Sequence, residues 1–182
     1  PDEAEQFMYE AVKRFEADRS AGKDGESYIF FVGRENYPLS WVEDPVYQWG
    51  KAQVLQEGSD VVLVGSGVLL NRMIDAGKQL AEEGVSATVI NNPFINHADI
   101  ETIGAAVTAA NGRLVTIEDH QIIGGMGAQL SHALSNAGVA HSIKTLGIAG
   151  EFGQSAYKAD QLYDKFGLNV AGVKTAAKEL LT

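Results

Sequence analysis

The second part of the chain, from residue 59 onward, alternates between two hydrophobic patterns. Short continuous apolar runs, typical of buried strands, alternate with longer stretches whose apolar residues recur at helical spacing. The runs predict strands at residues 60–64, 87–90, 113–117 and 142–146. The amphipathic stretches predict helices at residues 69–83, 98–110, 125–136, 160–166 and 170–181. This order favours right-handed βαβ units and a mainly parallel sheet that is covered on both faces.

The first part of the chain is less regular. Residues 1–19 have an amphipathic pattern with acidic residues at the start and basic residues near the end, which suits a helix dipole. Residues 28–32 (YIFFV) form an apolar, β-rich run that predicts a buried strand. The predicted fold class is therefore α/β: three layers, with helices on both faces of a mainly parallel sheet, plus an N-terminal helix–strand appendage.

Composition and charge narrow the functional classes. The 182 residues carry 24 acidic and 14 basic side chains, so the net charge is 14 − 24 = −10. This balance argues against binding to nucleic acid or to anionic membranes, because both require a basic face. No run reaches the roughly 18 apolar residues of a membrane-spanning helix. The absence of cysteine excludes disulfides and thiolate chemistry, and it leads us to expect a cytoplasmic protein.

A glycine-rich turn follows the first strand of the regular region. Gly65-Ser66-Gly67 resembles the start of a dinucleotide-binding fingerprint. However, Leu70 stands where the third glycine is needed, and the next strand ends in Asn91-Asn92 instead of an acidic residue. A structural turn is therefore favoured over a cofactor site at this position.

A polar triplet and a second glycine-rich turn form the main candidate site of the regular region. Glu118, Asp119 and His120 follow the third strand, and Gly124 and Gly125 open the next helix. Such strand ends and helix starts can bind anions, and neighbouring acids and imidazoles can transfer protons. Alternatively, the glycines permit close packing while the triplet caps the loop. We favour packing, because no nucleophile or metal-ligand spacing accompanies the triplet; an anion-binding or interface loop stays open as the alternative.

Other catalytic signals are missing from the sequence. The four histidines lack the paired spacing of a metal site, and Ser66 lacks the flanking glycines of a nucleophile elbow. We therefore predict no catalytic residue and no metal site in this chain. One basic residue is notable, because Arg34 closely follows the apolar run at 28–32. Its guanidinium is suited to two parallel hydrogen bonds with a phosphate or carboxylate.

Three stretches of the regular region resemble the C-terminal domain of transketolase-type thiamine diphosphate enzymes. They are DVVLVGSGVLLNRMIDAGKQLAEEGVSATVINNPFIN, GRLVTIEDHQIIGGMGAQL and LGIAGEFGQSAYKADQLYDKFGL. The F-G-x-S and L-Y-x-K-F-G features of the third stretch favour transketolase over deoxyxylulose phosphate synthase or a 2-oxoacid dehydrogenase beta chain. Residues 46–182 are similar to the family's C-terminal domain. Residues 1–45 are similar to the tail of its pyrimidine-binding domain and a linker.

The resemblance implies a function for the larger enzyme. Transketolases use thiamine diphosphate and Mg²⁺ to transfer a two-carbon ketol unit between sugar phosphates, in pentose phosphate metabolism. Arg34 matches the family arginine that binds the phosphate of these substrates. The G-D-G … N-N motif that holds the cofactor in the family is not in this sequence. We therefore expect the chain alone to bind no cofactor, to be inactive, and to serve a structural and dimerising role.

The expected partners are the remaining domains of the same enzyme or a separate N-terminal subunit, within a homodimer. Because Pro1 is not an initiator methionine, we expect a fragment of a longer polypeptide. One functional hypothesis is the C-terminal portion of a transketolase; the other is a C-terminal subunit or interaction module of a related thiamine diphosphate enzyme. A small-anion-binding domain that uses the helix start at 124–127 also stays open.

Overall fold

The computed structural model describes residues 1–33, 38 and 40–182, and these residues divide into two compact units. Unit 1 is Pro1–Trp49 and unit 2 is Gly50–Thr182. The predicted domain boundary after residue 45 stays a prediction. No helix of the described residues is both long enough and apolar enough to cross a bilayer.

Unit 2 contains a five-stranded sheet, as the alternating pattern predicts. Its strands are β1 (Gln53–Gln56), β2 (Val61–Gly65), β3 (Ala87–Asn91), β4 (Arg113–Gln121) and β5 (Ser142–Ile148), in the spatial order β1-β3-β2-β4-β5. Strands β2 to β5 are parallel, and β1 pairs antiparallel with β3. Every residue of β2 and β3 is buried, because helices cover the sheet on both sides; β2 is a continuous apolar run, whereas β3 also buries the polar residues Thr88 and Asn91.

Helices form the two outer layers of unit 2. Unit 1 supplies α1 (Asp2–Ser20), and unit 2 supplies α2 (Leu70–Glu82), α3 (Ile100–Ala109), α4 (Met126–Asn136), α5 (Ala159–Lys165) and α6 (Val170–Leu181). Helices α3 and α4 pack on one face of the sheet, where Ile103 and Leu130 meet Val62 and Val64. Helices α2 and α6 contact each other and the sheet. Because the side chains of successive strand residues point to opposite faces, each central strand contributes apolar side chains to both sides of the sheet. The predicted α/β three-layer class is confirmed.

Unit 1 is built around α1 and a small aromatic cluster. Phe7 of α1 is buried, and its ring centroid lies 5.9 Å from that of Tyr47 and 6.0 Å from that of Trp49. Tyr28 packs edge-on against Trp49 at 5.2 Å. The Tyr47 hydroxyl donates to the Asp2 carboxylate, and burial raises the pKa of Tyr47 to about 12. The predicted helix at 1–19 is confirmed.

The predicted strand at 28–32 does not form in the structure. Ile29 and Phe31 are 78% and 84% exposed, and the segment pairs with no strand of the described residues. A strand requires a neighbour to bond its backbone groups, and the strands of the described residues all lie in unit 2. The apolar pattern indicates a high β propensity, but it does not show which strand, if any, lies beside this segment.

The antiparallel strand β1 was not predicted. It is a short edge strand with polar residues at both ends, and its register shifts between Val54 and Gln56. Asp99, the N-cap of α3, holds the segment that leads into β1 by accepting from the Ala52 amide at 3.1 Å. Such an edge strand lacks the apolar run by which the central strands were recognised.

Candidate functional site

Glu118 is a buried carboxylate near the carboxyl end of β4. Its side chain is only 1% exposed, while the residues after it on β4 are exposed. Strands β2 and β4 are neighbours whose connections leave toward opposite sides of the sheet, so their ends form the position where α/β sheets commonly bind ligands. Glu118 therefore lies at the sheet edge where the sequence predicts a candidate site.

The Glu118 carboxylate caps helix α4 from outside the helix. It accepts from the amide of Met126 at 2.7 Å and from the amide of Gly127 at 3.3 Å. The N-cap residue Gly125 has no side chain to do this, and the first N–H groups of a helix have no partner within it. A negative charge at this end also suits the helix dipole. Glu118 thus connects β4 to α4.

The glycines at the start of α4 are required by this close approach. A Cβ on Gly125 would overlap the Glu118 carboxylate. A Cβ on Gly127 would lie 2.5 Å from Thr116 Oγ1 and 2.7 Å from Thr145 Oγ1. Gly124 has a φ of +76°, in the left-handed region that favours glycine. The geometry thus supplies a packing reason for the glycine-rich turn.

His120 covers the outer side of the Glu118 carboxylate. Its Nε2 atom lies 2.8 Å from Glu118 Oε2, and its Nδ1 atom lies 3.4 Å from Asp119 Oδ1. Burial raises the pKa of Glu118, although the Gly127 amide and His120 both act to lower it. The imidazole is 45% exposed. This pair can hold a proton between a buried carboxylate and a solvent-facing ring.

The amides at the start of α4 already have an acceptor. An external anion at this helix start would have to displace the Glu118 carboxylate from the Met126 and Gly127 amides. The structure brings Glu118, His120 and Gly125 together, with Gly124 next in the chain, but assigns none of them a ligand. Arg34, the predicted phosphate-binding residue, lies outside the described residues. Their functional roles stay predictions.

The loops at this edge are joined by the side chain of Gln121, for which the sequence predicts no role. Gln121 Oε1 accepts from the Gly150 amide at 2.8 Å, and its Nε2 donates to the Glu151 carbonyl at 3.1 Å. We call this pair of bonds the Gln121 clasp. It ties the end of β4 to the loop after β5. A glutamine beside a polar triplet gives no sequence signal for such a role.

A second missed contact lies at the opposite end of β5. His141 Nδ1 donates to the Val139 carbonyl at 2.9 Å, because a carbonyl can only accept. In the neutral ring, Nε2 is then left to accept from the Ser131 hydroxyl at 2.8 Å. This contact fastens α4 to the start of β5. The spacing of serine and histidine gave no hint of it, since the two residues are ten positions apart.

The described residues show no metal centre. No group of three or more histidine, cysteine, aspartate or glutamate side chains in the described ranges is arranged to hold a metal ion. The ionised groups of unit 2 form ion pairs between elements instead: Lys174 and Lys178 of α6 both reach Glu83, each at 2.7 Å. These two lysines lower the pKa of Glu83 to about 2.

Comparisons of this chain with protein families, with known sequences and with solved structures all find transketolase-like proteins. Residues 50–173 match the model of the family described as "Transketolase, C-terminal domain". A 1-deoxy-D-xylulose-5-phosphate synthase from Desulfitobacterium hafniense (strain Y51) is 36% identical over 132 residues. That alignment covers 72% of this chain and 20% of the synthase, so the chain spans about a fifth of the length of this relative.

Two further matches come from split proteins or sections of proteins. A protein of Methanocaldococcus jannaschii, named as a putative transketolase C-terminal section, is 32% identical over 127 residues, covering 70% of this chain and 39% of that protein. A solved structure described as "Split gene transketolase, inactive beta4 tetramer" has a TM-score of 0.77 and 29% identity. It covers 94% of this chain, and the match spans 55% of the solved chain.

Proposed function

This chain belongs to the transketolase C-terminal domain family, and from this premise we propose that it is the C-terminal part of a thiamine diphosphate enzyme. In that enzyme it supports ketol transfer between sugar phosphates without performing the chemistry itself. Its relatives include both 1-deoxy-D-xylulose-5-phosphate synthases and transketolases. The second candidate is therefore the C-terminal part of a 1-deoxy-D-xylulose-5-phosphate synthase, which the 36% identity to such enzymes favours.

The observation that carries this proposal is the apolar segment at 28–33 of unit 1. Phe30 is half-buried, whereas Ile29 and Phe31 are exposed, so both faces of the segment are apolar. Such a strand is typical of a sheet covered on both sides. We infer that a sheet elsewhere in the same polypeptide, or in a separate N-terminal subunit, pairs with this segment.

The described residues do not fit a complete site for thiamine diphosphate. They include no cluster of metal ligands for the Mg²⁺ that would accompany the diphosphate. The carboxylate best placed for a ligand, Glu118, is already bound by two amides of α4. The proposal therefore assigns the cofactor site to the remaining domains or subunit, and no catalytic step is assigned to unit 2.

Arg34 is the residue proposed to touch substrate. Changing Arg34→Ala in the assembled enzyme removes a bidentate phosphate contact and is expected to raise KM for the sugar phosphate more than it lowers kcat. Arg34→Lys keeps the charge but loses the paired geometry, so it should recover activity only in part. Steady-state kinetics measure both effects. An unchanged KM in Arg34→Ala would remove this residue from the substrate site.

We further propose that the chain is cytoplasmic and self-associates. The absence of cysteine supports the location. The solved split-gene relative is described as a beta4 tetramer, which supports association between copies of this chain.

The test of the proposed function is purification of the native protein through an affinity tag on the polypeptide that carries this sequence. We expect thiamine diphosphate to co-purify, together with either ketol transfer or 1-deoxy-D-xylulose-5-phosphate formation. Denaturing gels then show whether the tag sits on a long polypeptide or on a separate subunit. Purified material with neither the cofactor nor either activity would contradict the proposal.

A further inference from the structure

Three polar side chains lie side by side at the carboxyl edge of the sheet, one each from the ends of β3, β2 and β4. They are Asn92, Ser66 and Glu118, and we call them the polar row. The backbone amide of Asn92 donates to the Gly65 carbonyl at 2.9 Å, so residue 92 continues the pairing of β3 with β2 and lies beside residue 66. The register of β2 with β4, extended by two residues, likewise places Ser66 beside Glu118.

The polar row faces the layer of α3 and α4. Ile90 and Val64 belong to the core cluster that packs against these helices. Each precedes a member of the row by two residues, and side chains at that spacing share a face of the sheet. Ser66 has an extended backbone, with φ −147° and ψ 162°, so the alternation continues through it. Glu118 points the same way, because its carboxylate reaches the amides at the start of α4.

Two members of the row have hydrogen-bonding groups that the described residues leave unused. Asn92 is 1% exposed, and its Nδ2 atom has no acceptor among the described residues. A buried donor without an acceptor costs free energy, so an added oxygen atom that accepts from Asn92 is bound favourably. Ser66 is half-buried and precedes a short 3₁₀ helix, but its hydroxyl makes no capping bond. The next residue, Gly67, is exposed, and an added Cβ there would meet nothing within 4 Å, so there is open space beside the row.

The third member of the row determines which charge the ligand carries. Glu118 Oε1 accepts from the Gly127 amide at 3.3 Å, and a carboxylate oxygen has a second lone pair for another donor. An anion beside this carboxylate would be repelled, whereas a hydroxyl group can donate to it and a neighbouring hydroxyl can accept from Asn92. Adjacent strands lie about 4.8 Å apart, so a chain of about five hydroxylated carbons is long enough to contact all three side chains.

We propose that the polar row binds a small neutral ligand with several hydroxyl groups, a polyol or a free sugar. Asn92 donates to one ligand hydroxyl, Ser66 bonds the next, and Glu118 accepts from a third. In dinucleotide-binding folds the residue after the corresponding strand is an acid that binds ribose hydroxyls. An asparagine in this place keeps an acceptor oxygen and adds a donor. The ligand needs no phosphate, so this site is independent of the role proposed for Arg34.

The test is nitrogen-15 NMR of the full 182-residue chain, titrated with ribitol and with D-ribose. We expect saturable shifts of the Asn92 side-chain amide signals, which are identified by their loss in Asn92→Leu. Backbone amide signals of residues 65–67 report binding in the variants. The dissociation constant should rise at least about tenfold in Asn92→Leu and at least about threefold in Ser66→Ala. The matched control Asn96→Leu removes an exposed amide from the same loop and should leave the constant unchanged.

Thermal melting shows whether each variant is folded, and Ser66→Ala keeps the test decisive if Asn92→Leu does not fold. The site is overturned if neither compound gives saturable shifts, or if a folded variant of the row binds as tightly as the wild type. It is also overturned if inorganic phosphate shifts the same signals more strongly than ribitol, because Glu118 should repel an anion. Co-purification of thiamine diphosphate is a separate measurement, so this proposal and the proposed function can fail independently.

Discussion

At the scale of single residues, two glutamates of unit 2 respond to their surroundings in opposite ways. Burial raises the pKa of Glu118, while hydrogen bonds from Lys174 and Lys178 lower the pKa of Glu83 to about 2. Glu118 is kept where it is by the amides it satisfies, despite the cost of burying its charge. Glu83 gains from cations at the surface. A count of acidic residues treats the two as equal. However, ionisation of Glu83 stabilises the folded state, whereas ionisation of Glu118 opposes folding.

Replacing Glu118 with alanine tests its role as the cap of α4. The change leaves the amides of Met126 and Gly127 without their acceptor in a buried place, so we expect a loss of about 1–3 kcal/mol in unfolding free energy. Urea denaturation measures this loss. The control is Asp119→Ala, whose side chain is 50% exposed and should cost little. Equal effects from the two variants would show that the amides do not depend on Glu118.

At the scale of secondary-structure elements, glycines in two helices differ in how much space surrounds them. Gly127 lets α4 lie against the Thr116 and Thr145 hydroxyls of the sheet. Gly104 in α3 has only ordinary contacts, since an added Cβ would lie 3.5 Å from both Ile100 and Val139. The close packing of α4 on the sheet therefore requires glycine at 127, whereas position 104 has room for a larger residue.

The pair Gly127→Ala and Gly104→Ala separates these roles. We expect Gly127→Ala to lower the unfolding free energy by about 1–3 kcal/mol, because the added methyl group overpacks the interface. Gly104→Ala should raise it by up to about 1 kcal/mol, because alanine is the better helix former. Chemical denaturation of each variant measures its unfolding free energy. A loss in Gly104→Ala as large as that in Gly127→Ala would refute the difference.

The contact between α2 and α6 predicts a pH dependence. The carboxylate of Glu83, whose ordinary pKa is 4.5, has a lowered pKa in the folded chain, so its stabilisation is present above about pH 4.5 and is lost as pH falls toward 2. Glu83→Gln should therefore lower the Tm at neutral pH and converge with the wild type near pH 2. High salt should reduce the difference. Parallel Tm curves at every pH would contradict this.

The elements of unit 2 were predictable because each helix and central strand carries its own periodicity. All four parallel strands and five helices of unit 2 were anticipated within a few residues. The strand at 28–32 was wrong because pairing depends on an edge that the described part of this chain does not offer. At the candidate site, sequence located Glu118 and the glycines. The sequence could not show that Gln121 contacts Gly150 or that His141 contacts Ser131, because only the folded chain brings these residues together.

At the scale of the whole molecule, unit 2 contains a five-stranded sheet, and unit 1 contains an exposed apolar segment that pairs with no strand of the described residues. Unit 2 buries its own core, whereas we propose that residues 28–33 find backbone donors and acceptors elsewhere in the enzyme. Membership of the transketolase C-terminal domain family fits this division, since the alignment covers only 20% of a relative named as a 1-deoxy-D-xylulose-5-phosphate synthase.

Calorimetry with the isolated chain tests the division of labour. Thiamine diphosphate with Mg²⁺ should give no binding heat, because the groups that would hold them are assigned to the rest of the enzyme. The same titration on the tagged native complex is the positive control. Clear micromolar binding to the 182-residue chain alone would mean that its residues do form a cofactor site.

Glu118 and Gly125 share one small volume at the start of α4, because any side chain on Gly125 would enter the space of the carboxylate. The backbone carbonyl of Gln121 blocks the same position, 2.5 Å from where the Cβ of that side chain would lie, so a shorter residue at 118 would not by itself admit a side chain at 125. We therefore expect descendants of this sequence to keep glycine at 125 even where position 118 changes. Retention of that glycine among related sequences would be the evolutionary trace of the tight approach.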